Sequence, residues 1–199
     1  MTKREEDFGI LNEHHREAAV VMAAMLDKNG GTILDIADLL VNRFKLGHKV
    51  LIFGNGGSYA DALHFVGELE GAYRNRSRPP LSAIAPNPVS ITAIGNDFGY
   101  DETFKKFVKA HAYAMDVVIG ISTSGNSPNV LEALKFAHEE KIATVGITGE
   151  TGGAIKPYCN YLLNVPSTDT PRIQEAYKFA IHEICDIVER DMFGSVSRK

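Results

Sequence analysis

Two stretches of this 199-residue chain crowd together side chains that could do chemistry. In "SYADALHFVGELEG", Asp61, His64 and Glu68 stand at i, i+3 and i+7, so a helix carries all three on one face. In "RIQEAYKFAIHEICDIVE", Gln174 and His182 lie about two helical turns apart among Ile173, Phe179, Ile181 and Ile184. Imidazoles and a carboxylate can move protons near neutral pH or hold a metal ion. Each also fits a blander role: Asp61, His64 and Glu68 as solvated groups of a surface helix, His182 as a hydrogen-bonded core histidine. Spacing along the chain does not join the two stretches; a fold must.

Two further stretches suit an anion. "GNGGS", residues 54–58, follows one apolar run, and "ISTSGNSPNV", residues 121–130, ends another. Glycines let the backbone approach a ligand, and the N-terminus of a following helix favours a phosphate. Neither loop is a Walker A motif, since no Gly-Lys-Ser/Thr follows, and "GNGGS" is not a dinucleotide fingerprint. One such loop reads equally well as a Ser-capped turn. Two on the same edge of a sheet favour a phosphorylated small molecule.

The elements that must position these residues are legible as runs and periods. "KVLIF" (49–53), "LSAIA" (81–85), "DVVIGI" (116–121), "IATVGI" (142–147) and "YLLNV" (161–165) read as strands, with helical segments between most of them and a long helix over 172–192. Strands without clean alternation, interleaved with helices, predict a parallel sheet covered on both faces, with ligands beyond its carboxyl ends. Ahead of them, helical spacing over 5–26 (Ile10, Leu11, Val21, Met25, Leu26) meets an interruption at "KNGG", residues 28–31. A second amphipathic face follows at Ile33, Ile36, Ala37, Leu40, Val41 and Phe44. The expected fold is α/β: an N-terminal helical hairpin over 1–46, then a three-layer sandwich with a five-stranded parallel sheet over 47–199. That length suits a single domain.

Composition narrows the class. Hydrophobic content of 44% and charged content of 23% are those of a globular protein, and the net charge of -4 argues against nucleic acid as a partner. No apolar run approaches the ~20 residues that span a bilayer, and "MTKREEDFGI" lacks a signal-peptide core, so no membrane partner and a cytoplasmic location are expected. Cys159 and Cys185 have no metal-type spacing and are expected to be reduced thiols.

"GNGGSYADALHFVGEL", "AIGNDFGYDETF", "DVVIGISTSGNSPNVL" and "VPSTDTPRIQEAYKFAIHEI" resemble, in order, the sugar isomerase (SIS) domain family in its phosphoheptose isomerase branch. The resemblance runs from about residue 49 to the end. It implies a flavodoxin-like SIS sandwich, a homotetramer, a phosphorylated sugar substrate held by the strand-end loops, and one zinc ion per subunit. Carried over by position, Asn55, Gly56, Gly57 and Ser58 match a first substrate loop, Asn96 and Asp97 a contact for sugar hydroxyls, and Ser122, Thr123, Ser124 and Ser127 a phosphate loop. His64, Glu68, Gln174 and His182 match the zinc set, with Glu68 and Gln174 also reaching substrate.

The activity implied interconverts D-sedoheptulose 7-phosphate and D-glycero-D-manno-heptose 7-phosphate through an enediol(ate). Glu68 is the expected base, and His182 the group that moves protons on the oxygen side or during ring opening. Where the enzymes commonly read "ELxGRY", this chain reads "ELEGAY", with Ala72 in place of arginine and Arg74 and Arg76 nearby. Two rivals remain: an isomerase of another phosphosugar, and a non-catalytic adaptor of the same fold that binds the replication initiator. The adaptor lacks the acidic residue at the Glu68 position and the histidine at the His182 position, and both are present here.

Overall fold

Strand β1 (Val50–Gly54) is buried along its whole length, as are β3 (Val117–Ser122) and, past its first residue, β4 (Ala143–Thr148). Runs apolar on both sides have no face to give to water, so they lie in the middle of a covered sheet. The computed structural model, which describes residues 2–195, completes that sheet with β2 (Ala83–Ile84) and β5 (Tyr161–Asn164). The order is β2-β1-β3-β4-β5 and every pair is parallel. The chain leaves β1 in one direction and β3 in the other, so a crevice opens between their carboxyl ends.

Among the described residues six α-helices flank the sheet: α1 (Lys3–Lys45), α2 (Gly57–Glu70), α3 (Pro88–Phe98), α4 (Thr103–His111), α5 (Pro128–Glu139) and α6 (Thr170–Phe193). Alternate strand residues feed two cores. Val50, Ile52, Ile119, Ile121, Val145 and Ile147 pack with α1, α2 and α6. Leu51, Phe53 and Val118 pack on the other side with Phe104, Phe107, Val130 and Leu134 of α4 and α5. This is the expected three-layer sandwich, with each strand close to its expected limits. Only β2 is much shorter than the 81–85 run, because the Leu81 N–H turns to the Leu69 carbonyl at the end of α2.

The expected N-terminal hairpin is corrected: α1 is one continuous helix of 43 residues. The Lys28–Gly31 stretch does not break it. Two helical glycines cost roughly 1 kcal/mol each, and burial outweighs them. Met25, Asn29, Ile33, Ile36, Ala37, Leu40, Val41 and Phe44 form one unbroken buried face through the stretch. Asn29, inside it, donates to the Met25 carbonyl and to the Asn164 carbonyl, and accepts from the Asn164 N–H at the edge of β5. Residues 1 and 196–199, the ends of the expected 1–199 unit, lie outside the described residues.

Candidate active site

The loop after β1 delivers α2 into the crevice. Gly56 takes φ +53, which suits glycine, and Gly57 leaves room that no other residue leaves. A Cβ on Gly57 would stand 2.7 Å from Nε2 of Gln174, so α6 packs its glutamine directly on the loop. With α2 and α6 in register, the two separate sequence stretches meet. His64 Nε2 lies 3.0 Å from Glu68 Oε1 and 3.5 Å from His182 Nε2. One ligand atom from each of the three residues falls within 4.8 Å of the others. Zinc ligands at roughly 2.0–2.1 Å in a tetrahedral arrangement sit about 3.3 Å apart, so the donor set fits a borderline cation. The His64 and Glu68 side chains are 38% and 23% exposed, which leaves a way in for substrate.

Beneath the cluster lies a buried ion pair. Arg78 donates from Nη2 to the Glu68 carbonyl at 2.6 Å, from Nη1 to the carbonyls of Leu69 and Pro79, and from Nε to Glu189 at 2.7 Å. Glu189 also accepts from the N–H groups of Tyr73, Arg74 and Asn75. Burial pushes its carboxyl up, but Arg78 and the three N–H donors outweigh that and hold it below the usual value. The turn carrying Glu68 is thereby tied to the helix carrying His182.

Above the cluster is a buried hydroxyl network. Tyr177, fully buried, donates to Asp61 Oδ2 at 2.7 Å and lies 3.2 Å from Ser58 Oγ. Lys178 holds the other Asp61 oxygen at 2.9 Å. The Ser58 hydroxyl is thereby engaged in this network at the first turn of α2.

The second loop supplies small donors. Ser122 and Ser127 hydroxyls meet at 2.9 Å, and the Ser124 hydroxyl accepts from the Asn126 N–H in an exposed turn. Thr123 is half-buried beside them, and Pro128 begins α5 directly after. Asn55 and Asn129 bridge the two loops through a reciprocal amide pair, both bonds 2.9 Å. Asn96 and Asp97 are not brought to the cluster. They lie exposed on α3, Asn96 donating to Asp97, and the segment after them reaches the first loop through Tyr100, whose hydroxyl donates to Asn55.

A family model described as SIS domain matches residues 13–149. A phosphoheptose isomerase of Citrifermentans bemidjiense is 48% identical over 174 residues, 87% of this chain and 91% of that one. The chain belongs to the SIS domain family. Its fold matches phosphoheptose isomerase structures from Neisseria gonorrhoeae (TM-score 0.85, 38% identity, 94% of this chain and 99% of that one) and Francisella tularensis (0.88, 32%, 96% and 100%).

Within this SIS domain, Arg74, two residues after Ala72, is paired with an acid on α6. Asp186 on α6 holds its guanidinium at 2.6 Å, raising its pKa first of all through that hydrogen bond. Sequence reasoning passed over Arg78, Glu189, Tyr177 and Asn129. The first two carried no signal, because charges in "RNRSRPP" and "VERD" read as solvated. Tyr177 had one: it follows Gln174 by three residues, on the same helical face.

Proposed function

We propose that the chain is an aldose–ketose isomerase converting D-sedoheptulose 7-phosphate to D-glycero-D-manno-heptose 7-phosphate, the first step toward nucleotide-activated heptose. The observation that carries this is the His64–Glu68–His182 cluster at the carboxyl edge of the sheet, beside two small-residue loops, in a member of this family.

Ser122, Thr123, Ser124 and Ser127 take the phosphate, helped by the N-terminus of α5. Asn55, Gly56, Gly57 and Ser58 form the sugar side, with Asn96 and Asp97 as contacts of the assembled site. His64, Glu68, Gln174 and His182 would hold one zinc ion. When bound, it supplies Lewis acidity that polarises the carbonyl and offsets charge growing on the substrate oxygens. Among the described residues only Oε1 of Glu68 makes a hydrogen bond, which leaves Oε2 free to take a proton from C1. That gives the enediol(ate); the proton returns at C2 while His182 carries one between O1 and O2. C1 is oxidised and C2 reduced within one molecule, so no external redox partner is required.

Residues 1–199 are read as one SIS domain, supported by a core that runs from Met25 to Val188. The first half of α1 projects from that core with Phe8 63%, Leu11 63% and Val20 67% exposed, which supports a homotetramer built on helix pairing. A monomeric mass by light scattering at micromolar protein would sink that assembly. Among the described residues no helix is long and apolar enough to cross a membrane, and Cys159 and Cys185 are free, which supports a cytoplasmic enzyme.

The test is zinc-loaded protein incubated with a panel of ketose phosphates. Turnover of sedoheptulose 7-phosphate, with pentose and hexose phosphates unchanged, is expected. Turnover of a shorter ketose phosphate alone would return the other-phosphosugar reading, and no turnover the adaptor reading.

A further inference from the structure

Asn129 is 1% exposed, and all four hydrogen-bonding positions of its amide are taken. An amide carries two N–H donors and an oxygen with two lone pairs, so neighbours that cannot change role decide which end faces where. Two such neighbours fix Asn129. The Val130 N–H can only donate, and it meets Asn129 Oδ1 at 3.0 Å. The Thr103 hydroxyl gives its proton to the Tyr100 carbonyl at 2.7 Å, so toward Asn129 Nδ2, at 3.3 Å, it can only accept. A flipped Asn129 would set donor against donor at Val130 and lone pair against lone pair at Thr103.

With Asn129 fixed, Asn55 is fixed too. Asn55 Oδ1 accepts from Asn129 Nδ2, and Asn55 Nδ2 donates to Asn129 Oδ1, both at 2.9 Å. The Tyr100 hydroxyl donates to the same Asn55 oxygen at 2.9 Å. Both lone pairs of that oxygen are therefore engaged, and among the described residues one Asn55 N–H is left. Asn55 directly follows β1's last strand residue but one turn of sequence away Asn129 opens α5, two residues past Ser127, so the pair ties the two strand-end loops together. We propose that Asn129 is a positioning residue that makes Asn55 a donor only, so that Asn55 gives its remaining N–H to an oxygen of the sugar phosphate and takes no hydroxyl proton from it.

The inference rests on the sugar-phosphate reading above, and the test separates the two. KM and kcat for sedoheptulose 7-phosphate are measured on the assembled protein. Asn129→Leu, similar in size and without polar atoms, should raise KM roughly tenfold, the worth of one hydrogen bond to a charged ligand. Because substrate binding rather than the chemical step is affected, kcat should stay within about twofold of the parent. In an Asn55→Ala background the same substitution should change KM less than about twofold, because the two residues act as one unit. Asn55→Asp, which offers lone pairs and no donor, should weaken binding at least as much as Asn55→Ala. If Asn129→Leu does not fold, Tyr100→Phe removes only a hydroxyl from a ring that is 54% exposed. It should raise KM about threefold, an effect that again vanishes in the Asn55→Ala background. A KM rise that persists undiminished without the Asn55 amide, or an Asn55→Asp protein that binds as tightly as the parent, overturns the inference alone. A parent that binds sedoheptulose 7-phosphate without turning it over overturns the isomerase reading, and dissociation constants then replace KM in the same comparisons. A parent that does not bind it overturns both.

Discussion

The Arg78–Glu189 pair and the His64–Glu68–His182 cluster both lie between α6 and the segment that begins with α2, and the two are built on opposite plans. At Arg78 and Glu189, charge and hydrogen bonds are closely matched: one carboxylate takes three backbone N–H groups and a guanidinium, and that guanidinium reaches three carbonyls besides. Two turns back along α6, His64, Glu68 and His182 bring ligand atoms within 4.8 Å, and their side-chain hydrogen bonds among the described residues are to each other. A buried pair so closely matched has little left with which to bind, and its effect is to hold position. A cluster rich in lone pairs and short of protons is matched only when a cation or a substrate arrives. The contrast separates scaffold from chemistry along one helix pair.

The sharpest way to break that contrast is at the cluster. Glu68→Gln and His182→Gln should each remove isomerase activity by at least the ~10²–10⁴ of a general acid–base group, with the loss of a metal ligand adding to it. The fold should persist, because neither side chain is part of the buried core. The double variant should be little worse than either single one, since residues that work as a unit are strongly non-additive. Near-parental turnover in folded Glu68→Gln protein would make the cluster a mere surface feature.

The opposite outcome is expected at the scaffold. Glu189→Gln leaves Arg78 buried with its charge unmatched and should lower stability by about 3–5 kcal/mol at pH 7, read from denaturant unfolding. Because the folded Glu189 carboxyl titrates below the ordinary 4.5, the pair's contribution is complete above that pH and falls away as the pH drops beneath it. The stability gap between parent and variant should therefore narrow in acid. A gap that is constant from pH 7 to pH 3.5 would show that the pair is not an ionic clamp.

This contrast also marks what the sequence could show. Buried runs such as "VVIGIS" announce themselves as strands because no polar residue interrupts them, and His64 and Glu68 sit one turn apart in plain view. The partnership of His64 with His182 was legible only through the family resemblance, since 118 residues separate them. Arg78 was invisible, because nothing in a loop rich in arginines says which one the fold will bury. The continuity of α1 was hidden for the same reason: "KNGG" looks like a break until Asn29 is seen spending its amide on the edge of β5.

At the phosphate loop a smaller effect is expected. Ser124 is exposed and bonded only to its neighbour Asn126 among the described residues, so Ser124→Ala should leave the fold untouched. Losing one hydrogen bond to a charged phosphate is worth about 1.5–3 kcal/mol, and the KM for the sugar phosphate should rise tenfold or more. Equal affinity of the parent for phosphorylated and unphosphorylated sugar would remove the loop from the site.

The smallest effect should be the most discriminating, because it pits scaffold against chemistry at a single atom. Gly57 lies in the first turn of α2, in a backbone conformation open to any residue, so Gly57→Ala should favour the helix by roughly 0.5–1 kcal/mol. The added methyl would stand 2.7 Å from Gln174 Nε2, inside contact distance. That nitrogen is the far end of a flexible side chain, so the fold can yield by swinging Gln174 into a poorer rotamer at about 0.5–1.5 kcal/mol. The two terms nearly cancel in stability, and the melting temperature should stay close to that of the parent. They do not cancel at the site, where only the displacement of Gln174 is felt and zinc affinity should fall several-fold. A variant that is equally stable and binds zinc as the parent does would show that Gln174 can leave its place on the loop without consequence, and would remove it from the ligand set.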